Sequence, residues 1–228
     1  MVVKSIRTIV LMRHGQSNYN AAGIIQDPLL PKLTNLGIKQ VQGNKIELGK
    51  LNLKFDVIVC SETTRNIESL KEIYPDYYQM NNVCIDSRLQ ERYHKDIVGK
   101  TKTQIEQELK KSLDPRMSVH LYFEGTDKSN LTYGRYTNNE SLQSVEKRLK
   151  SLLKDLQKFN TILLLGNSIT NHYILEILQY GSVGVERPKH PDGKEVDFQR
   201  NDELRVISVD EEMSFLNLRQ IYSQVNYL

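Results

Sequence analysis

The stretch RTIVLMRHG, residues 7–15, contains the pattern from which the fold is predicted. Residues 6–12 are mostly aliphatic, and a short apolar run of this kind predicts a buried strand. Arg13, His14 and Gly15 follow the run directly, so polar side chains begin where the strand ends. In a sheet of parallel strands, ligands collect at the carboxyl ends of the strands. The stretch therefore predicts both a core strand and the edge of a site.

Apolar strand patterns and amphipathic helix patterns alternate along the rest of the chain. Further strands are predicted over residues 55–60, 83–85, 161–165 and 204–209, and helices over 33–49, 63–73, 139–159 and through 174–178. This alternation predicts the α/β class, with three α/β/α layers and a mostly parallel sheet covered by helices on both faces. We expect a single domain over residues 1–228, with a lid-like insertion around 92–139. The pattern assigns no role to residues 112–138 or to the loop at 181–202.

The bulk composition argues against several classes of protein. Apolar residues make up 39% of the 228 residues, charged residues 26%, and the net charge is +3, which is too small to suggest nucleic-acid binding. The apolar runs are shorter than the roughly 20 residues that a membrane span needs. We expect no nucleic-acid or membrane partner and a cytoplasmic location. Cys60 and Cys84 lie in strand-like contexts and are predicted to be buried free thiols.

Charged and polar side chains follow four of the predicted strands. Arg13-His14 follows the first, Arg65 comes soon after the second, Glu91-Arg92 follows the third, and Asn167 follows the fourth. Each group has an ordinary structural explanation, and an exposed ion pair would contribute only about 0–1 kcal/mol. Their joint placement favours a phosphate site, because guanidinium groups bind phosphate in bidentate fashion and amides at helix starts favour anions.

An imidazole in such a site can do more than bind. A ring nitrogen of His14 could attack phosphorus and carry the phosphoryl group as a covalent intermediate. The only plausible acid placed by a strand end is Glu91, which could protonate the leaving oxygen. We expect no metal, because arginines and not a carboxylate cluster would neutralise the phosphate.

Five segments, in order along the chain, resemble the histidine phosphatase superfamily and within it the cofactor-dependent phosphoglycerate mutase branch. They are IVLMRHGQSNYN (9–20), LTNLGIKQ (33–40), CSETTR (60–65), ERYHKDIVGKTK (91–102) and NESLQSVEKRL (139–149). The resemblance implies His14 as nucleophile and Glu91 as general acid/base. It implies a phosphate- or substrate-binding set of Arg13, Asn20, Arg65, Arg92, Lys102 and Asn167. It further implies a small phosphorylated metabolite as partner, and 2,3-bisphosphoglycerate as phosphoryl donor if the protein is a mutase; a homodimer is left open.

The fourth strand departs from the mutase pattern. Mutases have His-Gly-Asn-Ser there, whereas this chain has Leu165-Gly166-Asn167-Ser168. Placing Asn167 at the histidine position would lose the Gly-Asn-Ser match, so we predict that Leu165 replaces the histidine and borders the site. Loss of one preorganised donor costs roughly 10²–10³ in rate in comparable sites.

The lid region also departs from the mutase pattern. His94 and Lys95 stand where mutases have tyrosine and glycine, and the adjacent arginine pair of the mutase lid is absent. Arg116 and Arg135 are candidate substitutes for that pair.

Three hypotheses follow from these departures. The first is a weakened mutase or phosphatase acting through phosphohistidine. The second is a catalytically inactive pseudoenzyme that binds a phosphorylated ligand or a protein partner. A purely structural protein is a weaker third, because Arg13, His14, Arg65 and Glu91 are all retained.

Overall fold

The computed structural model describes residues 6–92, 95, 97–110, 140–184 and 186–223. Its strands are β1 (Arg7–Arg13), β2 (Val57–Cys60), β3 (Val83–Ile85), β4 (Thr161–Gly166), β5 (Glu203–Val209) and β6 (Phe215–Tyr222). They form one sheet in the order β3-β2-β4-β1-β5-β6. The four strands from β3 to β1 are parallel, and β5 and β6 are antiparallel to their neighbours. The carboxyl ends of β1, β2, β3 and β4 therefore lie along one edge of the sheet.

The described helices are α1 (Asn18–Ala22), α2 (Asn35–Lys50), α3 (Thr64–Ile73), α4 (Lys102–Lys110), α5 (Leu142–Leu156) and α6 (Ser168–Tyr180), with short 3₁₀ turns at Tyr77–Gln79 and Ser87–Leu89. Four of the described helices, α2, α3, α5 and α6, correspond to predicted helical segments. Thr34 caps α2 as expected, because its Oγ1 accepts from the Gly37 amide at 3.0 Å. Within the ranges that the structure describes, no helix combines the length and apolar character needed to cross a bilayer.

Helices cover both faces of the sheet, which confirms the predicted three-layer α/β/α fold. The leucines of α5 and the apolar residues of α6 pack with Ile162 and Leu164 of β4. Residues of α2 and α3 pack on the opposite face with Leu163 and Leu165. Both faces of β4 are buried because helices cover each side, which explains why its sequence is a continuous apolar run and does not alternate with polar residues.

Three details differ from the sequence-based expectations. Strand β6 was not predicted, because its apolar residues do not alternate regularly with polar ones. Residues 18–22, where no helix is predicted, form the one-turn helix α1. Cys60 is buried as expected, but the prediction for Cys84 is wrong: it is a free, exposed thiol because β3 is an edge strand.

The proposed lid lies mostly outside the described residues. His94, Arg116 and Arg135 are among the residues that the structure does not describe. The expectations for a lid and for a substitute arginine pair stay predictions.

Candidate active site

The His14 ring is buried where β1 leaves the sheet. Its amide donates to Gly166 O at 3.3 Å, which continues the parallel pairing of β1 with β4 by one residue. Nδ1 lies 2.7 Å from Gly15 O, so Nδ1 carries the proton and donates to this carbonyl. Nε2 is then the unprotonated nitrogen, and it accepts from Arg65 Nε at 3.2 Å. The nucleophilic lone pair predicted from the sequence therefore points toward the arginine predicted to bind phosphate.

Two glycines allow the chain after His14 to lie against the start of α2. A Cβ on Gly15 would stand 2.2 Å from Gly37 O, and a Cβ on Gly37 would stand 2.1 Å from Gln16 O. Neither position has room for a side chain. This close approach fixes the Gly15 carbonyl that orients the His14 ring.

Arg65 is almost fully buried beside His14. Its Nη1 donates to Asp27 O and its Nη2 donates to Asn167 Oδ1, each at 3.0 Å. The Asn167 amide is itself fixed, because Nδ2 donates to Leu89 O at 3.2 Å. Asn167 and Arg65, both predicted from the sequence, therefore lie together at the ends of β4 and β2.

Arg13 is held by a loop whose function was not predicted. Its Nη1 donates to Gln199 O at 3.0 Å, and Ser168 Oγ donates to the same carbonyl at 2.9 Å. The Asn201 side chain donates to His14 O at 2.6 Å. Residues 199–201 thus position the side chain of Arg13 and the backbone of His14. Their distance in sequence from residues 13 and 14 left no local signal for this contact.

The charges around His14 keep its ring neutral. Burial, together with the nearby positive charges of Arg65 and Arg13, lowers the pKa of His14 well below its usual value of 6.5. Burial also lowers the pKa of Arg65 to about 10, and the Glu91 carboxylate partly offsets this effect. At neutral pH the site therefore combines a neutral imidazole with two guanidinium cations, and such a site attracts an anion.

Glu91 is fixed by the start of α6. Its Oε1 accepts from the Thr170 amide at 3.2 Å, and the Thr170 hydroxyl, which donates to Gln90 O at 2.7 Å, lies 3.2 Å from the same Oε1. The carboxylate is partly exposed and faces the same cavity as Arg13 and Arg65. Thr170 was missed from the sequence, although its place in the first turn of a helix after a strand end was a usable signal.

The remaining predicted ligands differ in how closely they approach the site. Arg92 lines the cavity, but its Nε donates to Glu140 O at 2.9 Å and it is 6% exposed. Asn20 also lines the cavity, with Oδ1 accepting from the Ser17 amide at 3.1 Å in the capping box of α1. Lys102 is the first residue of α4, and its side chain lies outside the described part of the structure.

The prediction that Leu165 borders the site is wrong. Its side chain is fully buried and packs in the apolar cluster between the sheet, α2 and α3. The strand register explains this: Leu165 pairs with Met12, one residue deeper in the sheet than the Arg13–Gly166 pair. Directly after β4, the Asn167 side chain contacts Arg65, and Ser168 and Ile169 line the cavity. The alignment that places Asn167 at the position of the mutase histidine therefore fits the geometry better than the alignment that places Leu165 there.

Arg13, Arg65 and Glu91 line a cavity of about 870 Å³, and His14 is buried behind this lining, in contact with Arg65. The polar part of the cavity includes Arg13, Arg65, Glu91 and Arg92, and its apolar part includes Ile24, Ile25, Val98, Ile169 and Phe198. Within the described ranges, no group of three or more histidine, cysteine or acidic side chains could hold a metal ion. The arrangement is suited to binding a phosphate monoester with its phosphorus near His14.

Comparisons with known proteins agree with this geometry. Residues 9–192 match the family model of the histidine phosphatase superfamily (branch 1). A 2,3-bisphosphoglycerate-dependent phosphoglycerate mutase of Rhizobium etli is 35% identical over 96 residues, which is 42% of this chain and 46% of that enzyme. The chain thus aligns with just under half the length of this curated relative.

Solved structures share the fold over nearly the whole chain. The alpha-ribazole phosphatase from Shigella flexneri superposes with a TM-score of 0.70 at 20% identity, covering 97% of this chain and 98% of that one. A mycobacterial glucosyl-3-phosphoglycerate phosphatase, solved with VO3, gives a TM-score of 0.69 at 20% identity, covering 96% and 100%. At this level of identity the likeness concerns the fold alone.

Proposed function

Because this chain belongs to the histidine phosphatase superfamily, we propose that it hydrolyses phosphate monoesters through a phosphohistidine formed on His14. Family membership supports phosphoryl transfer or hydrolysis as the class of chemistry. The single observation that carries the more specific proposal is the His14 ring, with Nδ1 donating to Gly15 O and Nε2 facing Arg65.

The first step of the proposed reaction breaks the ester. The Nε2 lone pair attacks phosphorus, a nitrogen–phosphorus bond forms, and the bond from phosphorus to the alcohol oxygen breaks. The Glu91 carboxyl group supplies the proton that the departing oxygen needs. In the second step, Glu91 takes a proton from water as the water oxygen bonds to phosphorus, the bond from phosphorus to Nε2 breaks, and inorganic phosphate leaves His14 free.

Arg13 and Arg65 would neutralise the phosphoryl oxygens throughout these steps. Arg65 Nε lies 3.2 Å from His14 Nε2, and Arg13 precedes His14 in the chain, so an anion bound by Arg65 would also be close to the ring. An incoming phosphate would replace His14 Nε2 as the acceptor of the Arg65 Nε hydrogen. This exchange would release the lone pair for attack.

Two alternatives use the same site. A mutase, with 2,3-bisphosphoglycerate as phosphoryl donor, is favoured by the match to the Rhizobium etli enzyme, though over less than half of its length. A binding protein without turnover is favoured by Asn167. Its amide oxygen accepts from Arg65, so the amide is not oriented to donate to a phosphoryl oxygen. For the same reason we expect slow turnover if the protein is a phosphatase.

The test is release of inorganic phosphate from 4-nitrophenyl phosphate and from 3-phosphoglycerate by the purified protein. His14→Gln should abolish release, whereas His190→Gln should leave it unchanged because His190 lies in the 181–202 loop outside the cavity. Conversion of 3-phosphoglycerate to 2-phosphoglycerate only with added 2,3-bisphosphoglycerate would favour the mutase. Vanadate binding with neither activity would favour the binding protein and contradict the proposed hydrolysis.

A further inference from the structure

The cavity has two chemically distinct parts. All three arginines among its described lining residues, Arg13, Arg65 and Arg92, lie in the polar part with Glu91. The wall beyond them is aliphatic and aromatic: Ile24, Ile25, Val98, Ile169 and Phe198. A phosphoryl group occupies only a small part of a cavity of about 870 Å³, a size more typical of sites for drug-sized ligands. The wall therefore faces whatever is esterified to the phosphate.

One side of this wall is built from two chain segments bonded to each other. The Ile25 amide donates to Lys100 O at 2.9 Å, and the Gly99 amide donates to Ile25 O at 3.0 Å. Ile24 and Thr101 form an antiparallel bridge next to them. These bonds hold Ile24, Ile25 and Val98 in a fixed arrangement, so the apolar surface is formed before any ligand arrives.

Another part of the apolar lining is the ring of Phe198, which the protein covers only in part. Phe198 is 44% exposed, and its ring centre lies 4.5 Å from that of His172. Ile169, in the first turn of α6, is partly buried and packs against the core. An apolar ligand group would cover the exposed part of Phe198 and remove that surface from water.

The arginines among the described lining residues belong to the polar part of the cavity. Arg13 and Arg65 are next to His14, and Arg92 Nε donates to Glu140 O. Asn20, Gln26 and Thr101, the polar lining residues close in sequence to Ile24, Ile25 and Val98, are uncharged. Among the lining residues that the structure describes, none on the wall offers a positive charge to a carboxylate or a second phosphate.

We propose that this site selects phosphate monoesters whose alcohol part is largely apolar, such as alkyl or aryl phosphates, over short, charged phosphorylated acids. The inference rests on the proposed function, since it concerns the substrate class of the same site. The polar part of the cavity binds the phosphate, and the segments around Ile24 and Val98, together with Phe198, bind the apolar body.

Binding of phosphonates, which cannot be hydrolysed at the carbon–phosphorus bond, tests the inference apart from catalysis. Calorimetry would compare methylphosphonate with hexylphosphonate, which share a headgroup and differ only in chain length. We expect hexylphosphonate to bind at least tenfold more tightly. Equal affinities, or tighter binding of methylphosphonate, would overturn the inference. Failure of both to bind would overturn the anion site itself, and the inference with it.

Substitutions in the wall localise the effect. Phe198→Ser should lower the ratio of the two affinities by at least threefold, and so should Val98→Thr, which keeps the side-chain shape and adds a hydroxyl. Leu216→Ser, at a comparably exposed apolar residue on β6, is the matched control and should leave the ratio unchanged. A ratio that is unchanged in both wall variants would overturn the assignment.

Hydrolysis of hexyl phosphate and glycerol 1-phosphate then separates this inference from the proposed function. Both are esters of primary alcohols with leaving groups of similar chemistry, so their kcat/KM values differ mainly through binding of the alcohol part. The inference predicts at least tenfold higher kcat/KM for hexyl phosphate. Equal hydrolysis of both would contradict the inference and leave the phosphatase intact. Selective hexylphosphonate binding with no hydrolysis of either ester would support the inference and contradict the phosphatase.

Discussion

At the scale of single residues, the surroundings of His14 decide its protonation state. Burial and the charges of Arg65 and Arg13 lower its pKa well below 6.5, so the ring stays neutral at pH values where an exposed histidine would gain a proton. We therefore predict that the His14 ring signal in a proton–nitrogen NMR spectrum does not shift between pH 8 and pH 6. The signal can be assigned by its disappearance in His14→Gln.

The environment of His14 also affects how the stability of the fold depends on pH. Because the folded-state pKa is depressed, any stability that His14 contributes is present above about pH 6.5 and falls as the pH drops toward the folded value. Arg65→Met removes the nearby charge that lowers the His14 pKa more than Arg13 does. The His14 signal should then titrate at a higher pH than in the unaltered protein. A His14 signal that titrates near 6.5 in the unaltered protein would show that the ring is not buried as described.

Leu165 and Asn167 show how far the sequence predicts which side chains at a strand end reach the site. The chemistry of His14, Arg65 and Glu91 was predictable, because each follows a recognisable strand. Which side chain leaves β4 toward the site was not, because it depends on where the strand ends relative to β1. Two positions along the chain separate the core residue Leu165 from Asn167, whose amide oxygen accepts from Arg65.

The position of Leu165 predicts the effect of replacing it. Leu165→His places a polar ring in the core between the sheet, α2 and α3, where it finds no solvent. We expect the free energy of unfolding in urea to fall by about 1–3 kcal/mol, with no gain in phosphatase activity. Leu165→Met, which conserves volume and polarity, should cost less than about 1.5 kcal/mol. A Leu165→His protein that is as stable as the parent and hydrolyses esters faster would refute the placement.

At the scale of elements, the first turn of α6 positions Glu91, the proposed general acid. Thr170 donates from its amide and lies within hydrogen-bond reach through its hydroxyl, so Glu91 is attached to a helix that is itself anchored in the core. Thr170→Val keeps the shape and the amide but removes the hydroxyl. We predict that kcat for an alkyl phosphate falls about tenfold, because the backbone of Gln90, next to Glu91, loses the hydroxyl that holds it.

The leaving group provides the discriminating readout for Thr170→Val. An alkoxide leaving group needs a proton from Glu91, whereas 4-nitrophenolate leaves readily without one. Hydrolysis of 4-nitrophenyl phosphate should therefore change by less than threefold in the same variant. Thr103→Val, at an exposed residue on the cavity rim, is the matched control. Equal losses for both substrates in Thr170→Val would indicate general damage to the site, not a misplaced acid.

The loop at residues 199–201 shows the limit of element-level prediction. Its residues fix Arg13 through Gln199 O and the His14 backbone through Asn201, although nearly 190 positions separate them in sequence. No periodicity or cap signal reports a contact of this kind. The helices and parallel strands were predictable because their patterns are local, whereas β6 and this loop depend on tertiary pairing.

At the scale of the whole molecule, ligand binding should stabilise the fold. Arg13 is the last residue of β1, His14 follows it, and Arg65 lies in α3. An anion held between these residues links elements that are distant in sequence. Orthovanadate at a hundredfold excess over its Kd should stabilise the folded protein by about 2.7 kcal/mol. The shift in melting temperature should vanish in Arg65→Met and persist in Arg219→Met, which lies on β6. An equal shift in both variants would place the anion elsewhere.

Trapping the covalent intermediate tests the central claim most directly. The protein would be mixed with hexyl phosphate or 4-nitrophenyl phosphate, quenched in alkali to preserve phosphohistidine, and analysed by peptide mass spectrometry. We predict one phosphoryl group on His14 in the unaltered protein, with more of it in Glu91→Gln if loss of the base slows the second step more than the first. Hydrolysis of the ester with no phosphoryl group on His14, or with the group on another residue, would contradict the account.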